Sequence, residues 1–147
     1  MREDLLLNYN INFTYEDDAS TAIITYKGRK FTGIAICHPT DKDFSSERVG
    51  CCIAEARAYI KLLKFKKECE IKPKKDILTH LYHNMESSTH FNPKSYEGRM
   101  VRHQLKAVEN ELNTVSQEIA EEEKFLTEYI ANKEKLYQRL RAKSNNQ

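Results

Sequence analysis

The sequence predicts an α+β fold: a small antiparallel three-stranded sheet packed on a helix, followed by helices and a long C-terminal coiled-coil helix. Three observations predict it. Between Ile11 and Cys37, apolar and β-branched side chains alternate between two reversal signals. From Val49 to Leu63, apolar residues recur at spacings of four and three. From Val101 to Leu140, that spacing is sustained over more than five heptads.

The first strand is read at Ile11, Phe13 and Tyr15, every second residue apolar. Asp17, Asp18, Ala19 and Ser20 supply a turn. Thr21 to Tyr26 is β-branched and aromatic, and Lys27-Gly28 marks a tight reversal. Lys30 to Cys37 then sets Phe31, Gly33, Ala35 and Cys37 opposite Thr32, Ile34 and Ile36. A sheet this small needs cover on one face. Asp43 or Ser45 is the predicted cap of the next helix, and its stripe Val49, Ile53, Ala56, Ile60 and Leu63 is the predicted cover. Pro73 is expected to end that helix near Cys69, with a shorter one from about Lys75 to Met85 carrying Ile77, Leu78, Leu81 and Met85. A polar loop, Glu86 to Pro93, closes a body spanning residues 1–93, and residues 94–147 form the oligomerisation helix.

That last helix, from about Tyr96 to Lys143, carries Val101, Leu105, Val108, Leu112, Val115, Ile119, Leu126, Tyr129, Leu136 and Leu140, interrupted only by Glu122 and Lys133. At about 1.5 Å per residue it would run roughly 70 Å, longer than the remaining body is wide. The stripe is therefore expected to be the interface of a homo-oligomer. Glu109, Glu111, Glu118, Glu121, Glu122 and Glu123 precede a basic block of Lys133, Lys135, Arg139, Arg141 and Lys143, so antiparallel pairing is favoured. Phe125, Ile130 and Tyr137 widen the stripe, which points to more than two helices or a docked body there.

Composition narrows the function classes. Of 147 residues, 31% are charged and 39% hydrophobic, too apolar for a disordered chain and too polar for a membrane protein. Neither a run of about 18 apolar residues nor a secretory leader is present, so the expected location is the cytoplasm, that of the host if the chain is phage-encoded. The net charge of +2 gives little global pull toward nucleic acid. Lys61, Lys64, Lys66, Lys67, Lys72, Lys74 and Lys75 nevertheless crowd one stretch, read either as a solvated helix end or as an anionic-ligand surface. Cys37, Cys51, Cys52 and Cys69 contain no C-x-x-C pair and are read as reduced and structural.

No Ser/His/Asp arrangement, Gly-rich phosphate loop or paired carboxylates in a cleft context are recognisable, so no enzymatic activity and no cofactor are expected. His80 and His83 lie three apart, but two histidines without a third local ligand do not make a metal site, and no metal is expected. The candidate ligand-binding residues are Arg29, Arg57, Phe91, Asn92, Arg99 and Arg102. A ring to stack on a base, an amide to read its edge and guanidinium forks for phosphate are the parts a nucleotide site needs. Each has a plainer alternative: Phe91 plugging the body, Asn92 starting a turn, the arginines solvated.

The stretch Thr32-Gly33-Ile34-Ala35-Ile36-Cys37-His38-Pro39-Thr40-Asp41, followed by Phe44, Gly50, Ala54, Arg57 and Ala58, resembles small proteins encoded by phages and prophages of Gram-positive bacteria. Among these, the layout looks like the anti-Thoeris nucleotide sponges, oligomers that sequester a cyclic ADP-ribose signal without cleaving it. That resemblance implies a site shared between subunits, with Phe91 and Asn92 on the adenine and Arg29, Arg57 and Arg99 or Arg102 on the phosphates. The expected partners are the chain itself, through its C-terminal helix, a small signalling nucleotide and a host defence protein, with no membrane. The long coiled coil departs from what a sponge requires. The alternative functions are a coiled-coil antagonist or adaptor that binds a host nuclease or defence protein, and nucleic-acid binding through the lysine cluster.

Overall fold

The computed structural model describes residues 9–38 and 46–146. Strands β1 (Asn10–Glu16), β2 (Ala19–Tyr26) and β3 (Arg29–Ile36) form an antiparallel sheet in the order β1-β2-β3. Both connections are two-residue turns, Asp17-Asp18 and Lys27-Gly28, with all four residues at positive φ. That is the hairpin geometry whose twist matches the strands it joins. The first turn is tighter than the sequence suggests, because Ala19 and Ser20 already belong to β2.

The register explains the alternation. Ile11, Ile24 and Phe31 form one row across the sheet, Phe13, Ala22 and Gly33 the next, and Tyr15, Ser20 and Ala35 the third. The middle and far strands of these rows are buried at Ser20, Ala22, Ile24 and Ala35, whereas Phe13 and Tyr15 on β1 stay about two-fifths exposed (44% and 42%). Cover therefore lies over β2 and β3.

Helix α1 (Glu47–Phe65) supplies that cover, and Ser46 caps it, its hydroxyl accepting the Val49 amide at 3.2 Å. Its sheet-facing stripe is not the large one predicted. A methyl group on Gly33 would run into the backbone of Ala54 and Ala58, and one on Gly50 into the hydroxyl of Ser20. The seam on the sheet is thus Gly50, Ala54 and Ala58, small residues four apart that let helix and strand backbones touch. Val49 and Ile53 of the predicted stripe line a cavity that the sheet residues Tyr15, Ser20 and Ala35 share with Ile130 and Tyr137 of the last helix. The predicted caps Asp43 and Ser45, and Pro39, Thr40, Asp41 and Phe44 of the family-like stretch, lie outside the described residues.

Pro73 does not end the helix. A proline inside a helix lacks the N–H for the preceding turn, and its ring presses on the carbonyl four residues back. Here the chain absorbs the fault by widening: Lys66–Ile71 form a π turn in which the Lys72 amide reaches back to the Lys67 carbonyl, and Pro73 falls in the first turn of α2 (Lys72–Glu86). Glu68 and Lys72 clamp the junction through a 2.7 Å ion pair.

The final helix, α3, spans Tyr96–Asn145 in 50 residues. The chain divides into two compact units, one of residues 1–62 with 120–147 and one of residues 63–119. In the second unit, one cavity brings Leu63, Lys66 and Ile71 to Glu111, Thr114, Val115 and Glu118, and another brings Pro73, Ile77 and Leu78 to Gln104, Ala107 and Val108. As one helix advances the other retreats, so this unit is built on an antiparallel helix pair. Val101, Val108, Val115 and Ile119 are buried by the chain itself and leave water without a second copy. Of the remaining predicted interface positions, Leu105, Leu112, Leu126, Tyr129 and Leu140 are half-buried and Leu136 is 41% exposed.

Candidate functional site

Of the six predicted ligand-binding residues, Arg29 and Arg57 belong to the first unit and Phe91, Asn92, Arg99 and Arg102 to the second. In the first unit, Arg57 donates from Nη1 to the Ile34 carbonyl at 2.6 Å, and one turn later Lys61 donates from Nζ to the Thr32 carbonyl at 2.7 Å. These are the outward carbonyls of an edge strand, and α1 closes that edge with two cations. The family-like residues Gly33, Gly50, Ala54, Arg57 and Ala58 therefore all serve the helix-on-sheet joint.

In the second unit, Phe91 is half-buried and meets Tyr82 of α2 edge-on, ring centres 5.7 Å apart at 90°. The Asn92 side chain accepts the Lys94 amide at 3.0 Å, its carbonyl accepts the Ser95 amide at 2.9 Å, and Ser95 caps α3 by accepting the Gly98 amide at 3.2 Å. Phe91 and Asn92 do line one shallow cavity of about 230 Å³, together with Met85, Ser88, His90, Ser95 and Glu97. No arginine lines it. Arg99 and Arg102 are exposed on the first turns of α3.

The lysine-rich stretch divides its tasks: Lys61 is bonded to β3 and Lys72 to Glu68. None of the four cysteines is in a disulfide. Among the described residues, no three metal-ligating side chains converge, and no helix is long and apolar enough to cross a membrane.

A further concavity lies elsewhere in the second unit. A groove of about 500 Å³ runs between α2 and α3, lined by apolar Pro73, Ile77, Leu78, Ala107 and Val108 and by polar Glu70, Lys74, Gln104 and Glu111. Ile77 on its wall is 69% exposed, and Leu81, one turn further along α2, is 45% exposed. Two large aliphatic side chains four apart on an open helix face, beside a groove with an apolar lining, are what a partner's apolar side chains fill. The sequence places Ile77, Leu78 and Leu81 on one helix, but their spacing says nothing of which of them the antiparallel neighbour leaves open. The groove's two carboxylates, Glu70 and Glu111, belong to the π turn and to α3, elements far apart in sequence.

No family model, no curated protein and no solved structure matches this chain.

Proposed function

We propose that this chain is a non-enzymatic binding protein that engages another polypeptide through the groove between α2 and α3. The observation that supports it is the apolar lining at Pro73, Leu78, Ala107 and Val108 with Ile77, on the same groove, left 69% exposed. The occupant is an amphipathic helix that seats aliphatic side chains on Ile77 and Leu81 and places a basic residue near Glu111. The resemblance of Thr32–Asp41 to small phage proteins supplies the setting, a host defence component as the target.

The test is co-purification from the cells in which the chain is naturally made. Ile77→Asp changes an exposed side chain, so the fold is retained, checked by unfolding midpoint, and the partner is lost. Asn113→Asp, exposed elsewhere on α3, leaves it bound. Equal recovery with both variants refutes the groove as the binding surface.

A second reading, sequestration of a cyclic ADP-ribose-type nucleotide, rests on the cavity that Phe91 and Asn92 share. With Glu97 on its wall and no arginine, that cavity needs its phosphate ligands from another subunit. Calorimetry with cyclic ADP-ribose isomers at protein on the order of tens of micromolar decides it: heat of binding lost in Phe91→Ala supports sequestration, and no heat removes it.

A further inference from the structure

The long helix carries a second seam, distinct from the stripe it buries within the chain. In the last part of α3, the stripe centred on Ile119, Ile130 and Tyr137 faces inward, with Ile119 and Tyr137 buried and Ile130 half-buried. Roughly 130° around the helix, a different set shares one flank: Glu121, Phe125, Tyr129, Asn132, Leu136 and Arg139, at spacings of four and three. Phe125 is 39% and Leu136 41% exposed, and Glu121, Asn132 and Arg139 are exposed beside them. Phe125 stacks on Tyr129, ring centres 5.7 Å apart, and the Lys133 ammonium lies over the Tyr129 ring at 5.5 Å.

We infer that this flank pairs with itself in a second copy, antiparallel, about a two-fold axis between Ile130 and Ala131. The arrangement follows from the order of chemistry along the flank. It runs from acid at Glu121, through aromatic at Phe125 and Tyr129, to aliphatic at Leu136 and base at Arg139. Turned end to end on that axis, Phe125 of one copy meets Leu136 of the other, Tyr129 meets Asn132, and Glu121 comes beside Arg139. Every contact occurs twice, which is what an isologous two-fold interface requires. A parallel pair would set Glu121 against Glu121 and Arg139 against Arg139, both unfavourable. The self-complementary charge order identifies the occupant as a second copy of this chain rather than a foreign helix. The seam shares no residue with the groove at Ile77.

Sedimentation equilibrium of the full chain tests this, with far-ultraviolet circular dichroism and unfolding midpoint as folding controls. The wild type is expected at twice the 17.2 kDa monomer mass. Leu136→Glu raises the dimer Kd by about a hundredfold, as loss of a central apolar anchor does. Glu121→Lys and Arg139→Glu singly each raise it roughly tenfold by setting like charges together. Both changes in one chain restore it, because the exchanged charges face each other again across the two-fold. A monomer at ~50 µM, above the Kd of ordinary specific pairs, overturns the inference. So does a dimer indifferent to Leu136→Glu, or one that the double charge exchange fails to restore while the fold is intact.

Discussion

Gly33 of β3 lies against the backbone carbonyl of Ala54 on α1, so close that a single methyl group at position 33 would run into that oxygen. Neither partner can turn aside, since both are main chain in regular elements. Gly33→Ala is expected to cost about 3 kcal/mol, the upper range for overpacking a tight joint. Gly28, in the second hairpin turn, has open space around it and only a φ of 76° to defend. Gly28→Ala should cost about 1 kcal/mol and Gly28→Asn far less, because Asn tolerates the left-handed region. Chemical denaturation of the three variants checks the ranking, and equal losses at positions 28 and 33 would show that the helix does not sit on Gly33.

Arg57 and Lys61 close the edge of β3 through the Ile34 and Thr32 carbonyls. Arg57→Met and Lys61→Met keep the aliphatic stems and remove the donors, so each is expected to cost about 1 kcal/mol. The double variant also reopens a strand edge, and thioflavin-positive aggregation should rise above either single variant. Unchanged stability and no added aggregation would mean that the two cations are incidental.

The hydrogen bond from Lys72, helped by its charge, holds the Glu68 carboxyl below its ordinary value of 4.5. A depressed folded value means that the contribution of this pair is present above the unfolded value and is lost as pH falls through the folded one. The group is exposed, so the effect on global stability is small. Carbonyl-detected NMR titration should give Glu68 a midpoint below that of an unpaired glutamate, returning to the ordinary value in Lys72→Met. A midpoint insensitive to Lys72 would show that the clamp on the π turn does not form.

Asn92 offers its Oδ1 to the Lys94 amide ahead of the Ser95 cap. Asn92→Ala should cost about 1 kcal/mol, whereas Asn92→Asp, which retains the acceptor, should be near neutral. Amide exchange at Lys94 reads the same bond directly. If both variants are neutral, the side chain is free for another task and the turn does not depend on it.

Much of the fold is legible in the sequence because the period-2 and four-three patterns are local. The strands, the second hairpin turn and the reach of the last helix follow from them. What escapes depends on partners distant in the chain. The sheet seam at Gly50, Ala54 and Ala58 is invisible to a search for large apolar side chains, since its contribution is closeness of backbones. Pro73 reads as a helix stop because the carbonyl it would strike belongs to the preceding turn, and only the π turn at Lys66–Ile71 relieves it. Within the apolar stripe from Val101 to Ile119, Val108 and Val115 face an antiparallel helix of the same chain, and spacing alone does not say whose helix that is. Phe91 and Asn92 lie where function was expected, but Tyr82 and the Lys94 amide, which engage them, carry no motif.

The central claim, that another polypeptide occupies the groove between α2 and α3, is tested most directly by photo-cross-linking in producing cells, with a benzophenone amino acid in place of Ile77. The account predicts one discrete adduct to a second polypeptide, absent when Leu81→Asp is added to the same chain and absent from a probe at Asn113. No adduct at position 77, or the same adducts from position 113, would contradict it.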